Sequence, residues 1–193
     1  MSANEFEVLV EASARHLHLS AADLAVLFGE GFELHKKRDL SQPGEFLTDE
    51  KVTITGSRNK IDKVSVLGPV RKATQIEISL TDARTLGVEP PVRLSGDLAG
   101  SPGIKVTGPA GEIELTEGVI IAKRHMHVVT SDAQKYGLTD RQVVCVQISG
   151  ERAVTFDECV VRVSDNFATA VHIDYDEANA AGVSGTVTGI VKY

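Results

Sequence analysis

Two His-x-His tripeptides, each preceded by arginine, constrain this chain more than any other feature: Arg15-His16-Leu17-His18 and Arg124-His125-Met126-His127. Four of the six histidines are spent on them. Residues i and i+2 share a face only on extended backbone, since on a helix they diverge by about 200°. Both copies are therefore expected at strand ends. The first follows Phe6-Glu7-Val8-Leu9-Val10-Glu11, which largely alternates apolar and acidic side chains, and the second follows the apolar run Gly118-Val119-Ile120-Ile121-Ala122-Lys123. Two neutral imidazoles on one face can close on a divalent ion at about 2.0–2.1 Å, which leaves them short of the four ligands zinc takes. A single His-x-His is ordinarily incidental, but a second copy with a matched arginine and a shared downstream outline reverses that reading. Other residues must complete the site.

Internal repetition nominates them. His127 precedes Gly137 by ten residues, with Ser131-Asp132-Ala133 between, and the same outline runs from Glu77 through Asp82-Ala83 to Gly87 and from His172 through Glu177-Ala178 to Gly182. The segment from His18 through Asp23 to Gly29 fits with one extra residue. Each segment is expected to be a strand end, a Ser/Thr/Asp helix cap, a short helix and a glycine stop. Aligned, the four place His18, Glu77, His127 and His172 at one equivalent position. Glu77 and His172 thus become candidate ligands beside His16, His18, His125 and His127. The segments are too irregular for a solenoid.

At 193 residues the chain can form one large or two small domains, and 42% hydrophobic content supports a real core. Strand-like stretches dominate: Lys51 to Thr55, Lys63 to Leu67, Thr74 to Ile78, Gly103 to Thr107, Glu112 to Leu115, Gln142 to Ser149, Glu158 to Val163 and Gly185 to Lys192. Turns such as Gly68-Pro69, Ser101-Pro102-Gly103 and Gly108-Pro109-Ala110-Gly111 separate them. Many short strands at this spacing imply a mainly β fold, barrel or sandwich, with small helices as caps.

A net charge of −7 leaves no basic stripe to replace phosphate counterions, and 5% aromatic residues leave little for base stacking, so nucleic acid is not an expected partner. Arg15, Arg71 and Arg124 instead stand singly near the proposed ligands, which suits a small anion. No apolar run approaches the roughly 20 residues of a transmembrane helix, and the acidic start lacks the charge pattern of a secretory signal. A cytoplasmic protein is expected. Cys145 and Cys159 match neither a redox pair nor a zinc knuckle and read as reduced core residues.

Several residues have plainer readings. His35, in Leu34-His35-Lys36-Lys37-Arg38-Asp39, reads as part of a solvated loop outside the site. His172 alone would pass for a core histidine hydrogen-bonded to a carboxylate, and Arg71 for a surface arginine, were it not six residues before Glu77. Asp174 and Asp176 read as helix-cap candidates. The chain has no Walker-type phosphate loop, G-x-G-x-x-G, G-x-S-x-G or H-E-x-x-H. Its chemistry is expected to run through metal.

Nearly the whole chain resembles the PduL-type phosphotransacylases, the phosphate propanoyltransferases. The resemblance rests on Ser13-Ala14-Arg15-His16-Leu17-His18-Leu19-Ser20, Asp39-Leu40-Ser41-Gln42-Pro43-Gly44, Gly68-Pro69-Val70-Arg71-Lys72 and Arg93-Leu94-Ser95-Gly96-Asp97. Ala122-Lys123-Arg124-His125-Met126-His127 and His172-Ile173-Asp174 complete it. It implies two β-barrel domains capped by short α-helices, residues 15–122 and 123–193, with the strand in 1–14 crossing to complete the second. It also implies a homodimer whose interface helps form the coenzyme A pocket, and a dinuclear zinc site. One Zn2+ would be held by His16, His18 and Glu77 with a position open to the coenzyme A sulfur, and the other by His125, His127 and His172. Arg71 would face the phosphate, with Ser95 nearby.

The implied reaction is reversible exchange of an acyl group, propanoyl by expectation, between coenzyme A and inorganic phosphate, giving the acyl phosphate. No residue is nominated for the coenzyme A pocket itself. Relatives that enter a bacterial microcompartment, as in propanediol degradation, carry an N-terminal extension resembling an amphipathic targeting helix. Here only fourteen residues precede Arg15, and they read mostly as strand. Two other classes fit the ligands: a zinc hydrolase acting on thioesters or amides, and a non-catalytic metal-binding barrel. Phosphate dependence and turnover separate the three.

Overall fold

A computed structural model describes residues 4–193. The described chain is mainly β. Its first part contains β1 (Glu5–Ser13), β2 (His16–Ser20), α1 (Ala21–Phe28), β3 (Lys36–Asp39), β4 (Phe46–Thr55), β5 (Lys60–Arg71), β6 (Gln75–Glu77) and α2 (Leu80–Leu86). There follow β7 (Val92–Arg93), β8 (Lys105–Thr107), β9 (Glu112–Glu114), β10 (Val119–Ala122), β11 (His125–Val128) and α3 (Thr130–Tyr136). The chain closes with β12 (Val143–Ile148), β13 (Val154–Val163), β14 (Ala170–Asp174), α4 (Tyr175–Ala181) and β15 (Thr186–Lys192).

The strands sort into two compact units. Arg15–Ala122 form the first, and Lys123–Tyr193 with the segment ending at Ala14 form the second. The second unit is a closed six-stranded barrel, β1-β14-β11-β13-β12-β15. The first is a curled sheet in the order β7-β10-β6-β2-β5-β4-β8-β9, with β3 on β4. It curls as a half-barrel without closing, and its end strands β7 and β9 are only two and three residues long. Such short edges limit unwanted pairing.

Both units repeat one construction. In each, a His-x-His strand pairs antiparallel with a second strand (β2 with β6, β11 with β14) and parallel with a third (β5, β13). Each third strand is in turn antiparallel to a fourth, β4 or β12. The strand that precedes each His-x-His lies in the other copy's unit: β1 runs into β2 but pairs parallel with β14, and β10 runs into β11 but pairs parallel with β6.

The four helices follow from local chemistry two residues beyond His18, Glu77, His127 and His172. Ser20, Ser79 and Asp174 are N-caps whose side chains accept the backbone N–H of Asp23, Asp82 and Glu177, satisfying donors that a helix start leaves orphaned. Asp82 and Glu177 return the bond to the cap residue's own N–H, completing capping boxes. The helix α3 departs from the expectation, since its N-cap is Val129 with no side-chain bond. There Thr169, the residue before β14, accepts the Val129 N–H at its Oγ1 and donates to Asp132, so it bridges the cap residue and the first helical turn. Helix α1 has eight residues against seven in the others, which accounts for the extra residue of the first segment.

Between the paired histidines, Leu17 and Met126 point to the opposite face and are fully buried. Leu17 joins Leu19, Leu27, Ile54, Val66, Ile76 and Leu86 in one core, and Met126 joins Val10, Val146, Val161, Val171 and Val191 in the other. Each such side chain contributes about 1.5–3 kcal/mol when removed from water. The imidazoles on the other face are fixed by this burial, because a one-residue slip would expose the core set.

Gly103 tests the packing between turns. A Cβ there would stand 1.7 Å from the Leu115 carbonyl oxygen and 2.5 Å from its carbon, so backbone has to move. Gly103→Ala is expected to destabilise by about 1–3 kcal/mol, read as a lower urea midpoint at unchanged slope.

Two local expectations need correction. The stretch Lys36–Asp39 is strand, not loop: all four residues are exposed, and an edge strand tolerates charge on both faces because only one side needs pairing. Cys159 is fully buried, but Cys145 is only half-buried, and neither is in a disulfide. Among the described residues no helix is long and apolar enough to cross a membrane.

Candidate active site

In the first unit the register of β2 on β6 sets His16 opposite Glu77 and His18 opposite Gln75, while Leu17 and Ile76 between them face the core. Alternation thus gathers four polar side chains on one face. His16 Nε2 lies 3.6 Å from Glu77 Oε2, and the His16 and His18 ring centroids are 5.3 Å apart. The other Glu77 oxygen, Oε1, accepts a 2.5 Å bond from Gln75 Nε2. Gln75 Nε2 also donates to Ser95 Oγ at 2.8 Å, and the Gly96 N–H donates to Gln75 Oε1 at 2.8 Å. Arg71 continues the chain: Nη1 donates to Ser95 Oγ at 3.2 Å and Nη2 to Glu45 Oε1 at 2.7 Å.

The nominated residues His16, His18, Glu77, Arg71 and Ser95 are therefore gathered in one unit, where hydrogen bonds run from Glu77 through Gln75 to Ser95 and Arg71. Gln75, which links Glu77 to Ser95, and Glu45, which holds Arg71, are not among the residues the sequence nominates. The signal for Gln75 was available, since Gln75-Ile76-Glu77 has the same i, i+2 spacing as His-x-His. Glu45 follows the Gln42-Pro43-Gly44 turn, where the Leu40 N–H bonds the Glu45 carbonyl and the Glu45 N–H that of Gln42.

In the second unit β11 and β14 set His125 opposite His172 and His127 opposite Ala170. Ring centroids of the three histidines are 4.7 to 5.3 Å apart. His125 Nδ1 is 2.9 Å from the Lys123 carbonyl, which can only accept, so Nδ1 carries the proton and the neutral ring's lone pair is on Nε2. Glu11 on β1 brings Oε2 to 3.8 Å from His172 Nδ1. Phe167 packs 4.2 Å from the His127 ring, and the Arg162 guanidinium sits 5.7 Å over Phe167.

Two atoms bear on metal binding. His18 Nδ1 and His127 Nδ1 are buried with no hydrogen-bond partner, and they belong to repeat-equivalent residues. A buried nitrogen without a partner costs free energy unless something takes its lone pair. Burial, then the neighbouring His16 and the Arg71 guanidinium, pushes the His18 ring down to about 2, while its bond to the Leu67 carbonyl works the other way. Burial, then His125, His172 and Arg162, pushes His127 down to about 2. Both rings are neutral near pH 7, as metal ligands must be. The donor chemistry fits zinc, although among the described residues no three His, Cys, Asp or Glu groups already converge to hold an ion. Closing a coordination shell would take side-chain rotation.

Arg15 and Arg124 are not the anion receptors their position suggested. Arg15 makes a paired contact with Asp82, Nε at 2.9 Å and Nη2 at 2.8 Å, and Arg124 Nε bonds Glu177 at 2.6 Å. Each arginine thus ties the start of a His-x-His strand to the capping box that follows the strand opposite. A separate cavity of about 330 Å³, lined by Ser20, Asp23, Lys72, Thr74, Leu98 and Glu117 among others, contains none of the nominated residues.

Residues 9–184 match the family described as phosphate propanoyltransferase. The phosphate propanoyltransferase of Clostridioides difficile (strain 630) is 53% identical over 184 residues, covering 95% of this chain and 88% of that protein. That of Listeria monocytogenes serovar 1/2a is 49% identical over 97% of this chain and 89% of its own length. That of Thermotoga maritima is 51% identical, with 96% and 90% covered. These matches define an acyltransferase. Within that class the chain belongs to the phosphate propanoyltransferase family.

Proposed function

We propose that this chain reversibly transfers a propanoyl group between coenzyme A and inorganic phosphate, with chemistry centred on the first unit. The observation that carries the reading is the continuous network from Glu45 through Arg71, Ser95 and Gln75 to Glu77, beside His16 and His18. It ties the Arg71 guanidinium to Glu77, the one carboxylate among the candidate metal ligands.

Arg71 is the phosphate seat. One N–H of Nη2 is committed to Glu45 and one of Nη1 to Ser95, so the Nε–H and a second hydrogen on each terminal nitrogen remain for pairing with phosphate oxygens. Glu45 holds the guanidinium plane in place. Ser95 Oγ accepts from both Arg71 and Gln75, filling its two lone pairs and leaving its own O–H to donate. Two anionic reactants repel, and a fixed cation with oriented donors lowers that barrier.

His16, His18 and Glu77 would hold one zinc ion, and His125, His127 and His172 a second. When bound, such an ion supplies Lewis acidity toward negative charge developing on oxygen or sulfur. A phosphate oxygen forms the new bond to the thioester carbonyl carbon, the carbon–sulfur bond breaks, and coenzyme A leaves as the thiolate. The state of the thiols disfavours an acyl-enzyme on cysteine. Burial pushes Cys159 up to about 12, and a hydrogen bond to Asp157, with burial, raises Cys145, so neither is an activated nucleophile.

The test follows thiol release from propanoyl-CoA. Release is expected only with phosphate present, to fall to background after thorough chelation, and to return with added zinc. Release without phosphate would instead establish the hydrolase reading.

A further inference from the structure

We infer that Gln75 is the positioning residue that couples the Glu77 carboxylate to the phosphate seat at Arg71 and Ser95, an inference that rests on the transacylase reading above. Gln75 is 2% exposed, and burying a primary amide is unfavourable unless its groups are satisfied. Here both ends are used. The Gly96 N–H can only donate, so it fixes Oε1 toward the loop and turns both Nε2 hydrogens toward Glu77 and Ser95.

Two consequences follow from that orientation. Gln75 grips the 95–96 loop twice, by the Ser95 hydroxyl and by the next backbone N–H, which the left-handed Gly96 (φ 94°) presents. It also occupies Glu77 Oε1, so that Oε2 is the oxygen turned to His16. A ligating carboxylate held by an outer partner in this way keeps one orientation for binding.

The duplicated construction separates function from fold. The strand position opposite His18 is Gln75, and the matching position opposite His127 is Ala170. The same strand pairing therefore forms without an amide there. Seat and amide occur together in the first unit, whereas the second has neither Glu77's carboxylate nor Gln75's donors at the matching positions.

Gln75→Met keeps the length and removes the bonds, and Gln75→Ala installs the second unit's residue should methionine disturb folding. In either variant the KM for phosphate is expected to rise about 10–100-fold, as is the zinc dissociation constant in competition with a chelating dye. The KM for propanoyl-CoA should stay within about twofold, and circular dichroism should be unchanged; a uniform loss from misfolding would not split the two KM values. Combining Gln75→Met with Ser95→Ala should raise the phosphate KM by less than the product of the single effects. Wild-type phosphate KM and zinc affinity in a folded Gln75 variant, or strict additivity with Ser95→Ala, would overturn the inference alone. A wild-type protein without phosphate-dependent transfer overturns the functional reading and this inference with it.

Discussion

Glu77→Ala is expected to leave one zinc per chain in place of two and to lower phosphate-dependent transfer about 10³-fold, the effect of losing several kcal/mol of charge stabilisation. The structure gives a reason to expect this without loss of the fold. Glu77 is on a polar face, whereas its neighbours Ile76 and Ile78 are the residues committed to the core. Removing the carboxylate takes away the charged group 3.6 Å from His16 Nε2 and leaves Gln75 Nε2 with Ser95 alone. Glu77→His separates metal retention from turnover. That change reproduces in the first unit the all-imidazole set of His125, His127 and His172, so zinc content should recover more than rate does. Metal analysis of purified protein, paired with initial rates, reads both quantities. If metal and rate both survive Glu77→Ala, the equivalence of His18, Glu77, His127 and His172 is one of helix entry and not of ligation.

That equivalence was legible because it is local. Extended backbone is demanded by His-x-His, a helix cap needs a side-chain acceptor, and a helix stop favours glycine, so the spacing of a few residues carries the whole motif. What spacing alone did not reveal was register. His16, not His18, faces Glu77, and that depends on how β2 meets β6 across dozens of intervening residues. The arginines were misread for a related reason. Their proximity to ligands suggested an anion, yet Asp82 and Glu177 stand three residues after the caps Ser79 and Asp174, and those acids reach the arginines only once the strands pair. Gln75 was overlooked because an isolated glutamine is ordinarily a surface residue; its burial becomes visible only with the 93–97 loop folded over it. The charged edge strand β3 escaped notice because charge patterning reads as loop when the partner strand is unknown.

Arg71 carries the second large effect. Arg71→Ala is expected to raise the phosphate KM about 10–100-fold, the range for losing charge-assisted bonds worth about 1.5–3 kcal/mol, while the KM for propanoyl-CoA changes little. Arg71→Lys should recover only a minor part. An ammonium is a point donor and cannot keep Glu45 and Ser95 at their present separation while pairing with phosphate oxygens as well. Glu45 makes the argument sharper. In Arg71→Ala its carboxylate loses its cation and stands beside the phosphate seat as a second negative charge, so part of the measured loss is repulsion. Adding Glu45→Gln to Arg71→Ala should therefore restore phosphate affinity by a few fold, whereas Glu45→Gln alone should weaken it by loosening the guanidinium. Opposite signs in the two backgrounds, measured as phosphate KM at fixed propanoyl-CoA, require that Glu45 act through Arg71. The same sign in both would place Glu45 in direct contact with substrate and move the phosphate seat away from the Arg71 guanidinium.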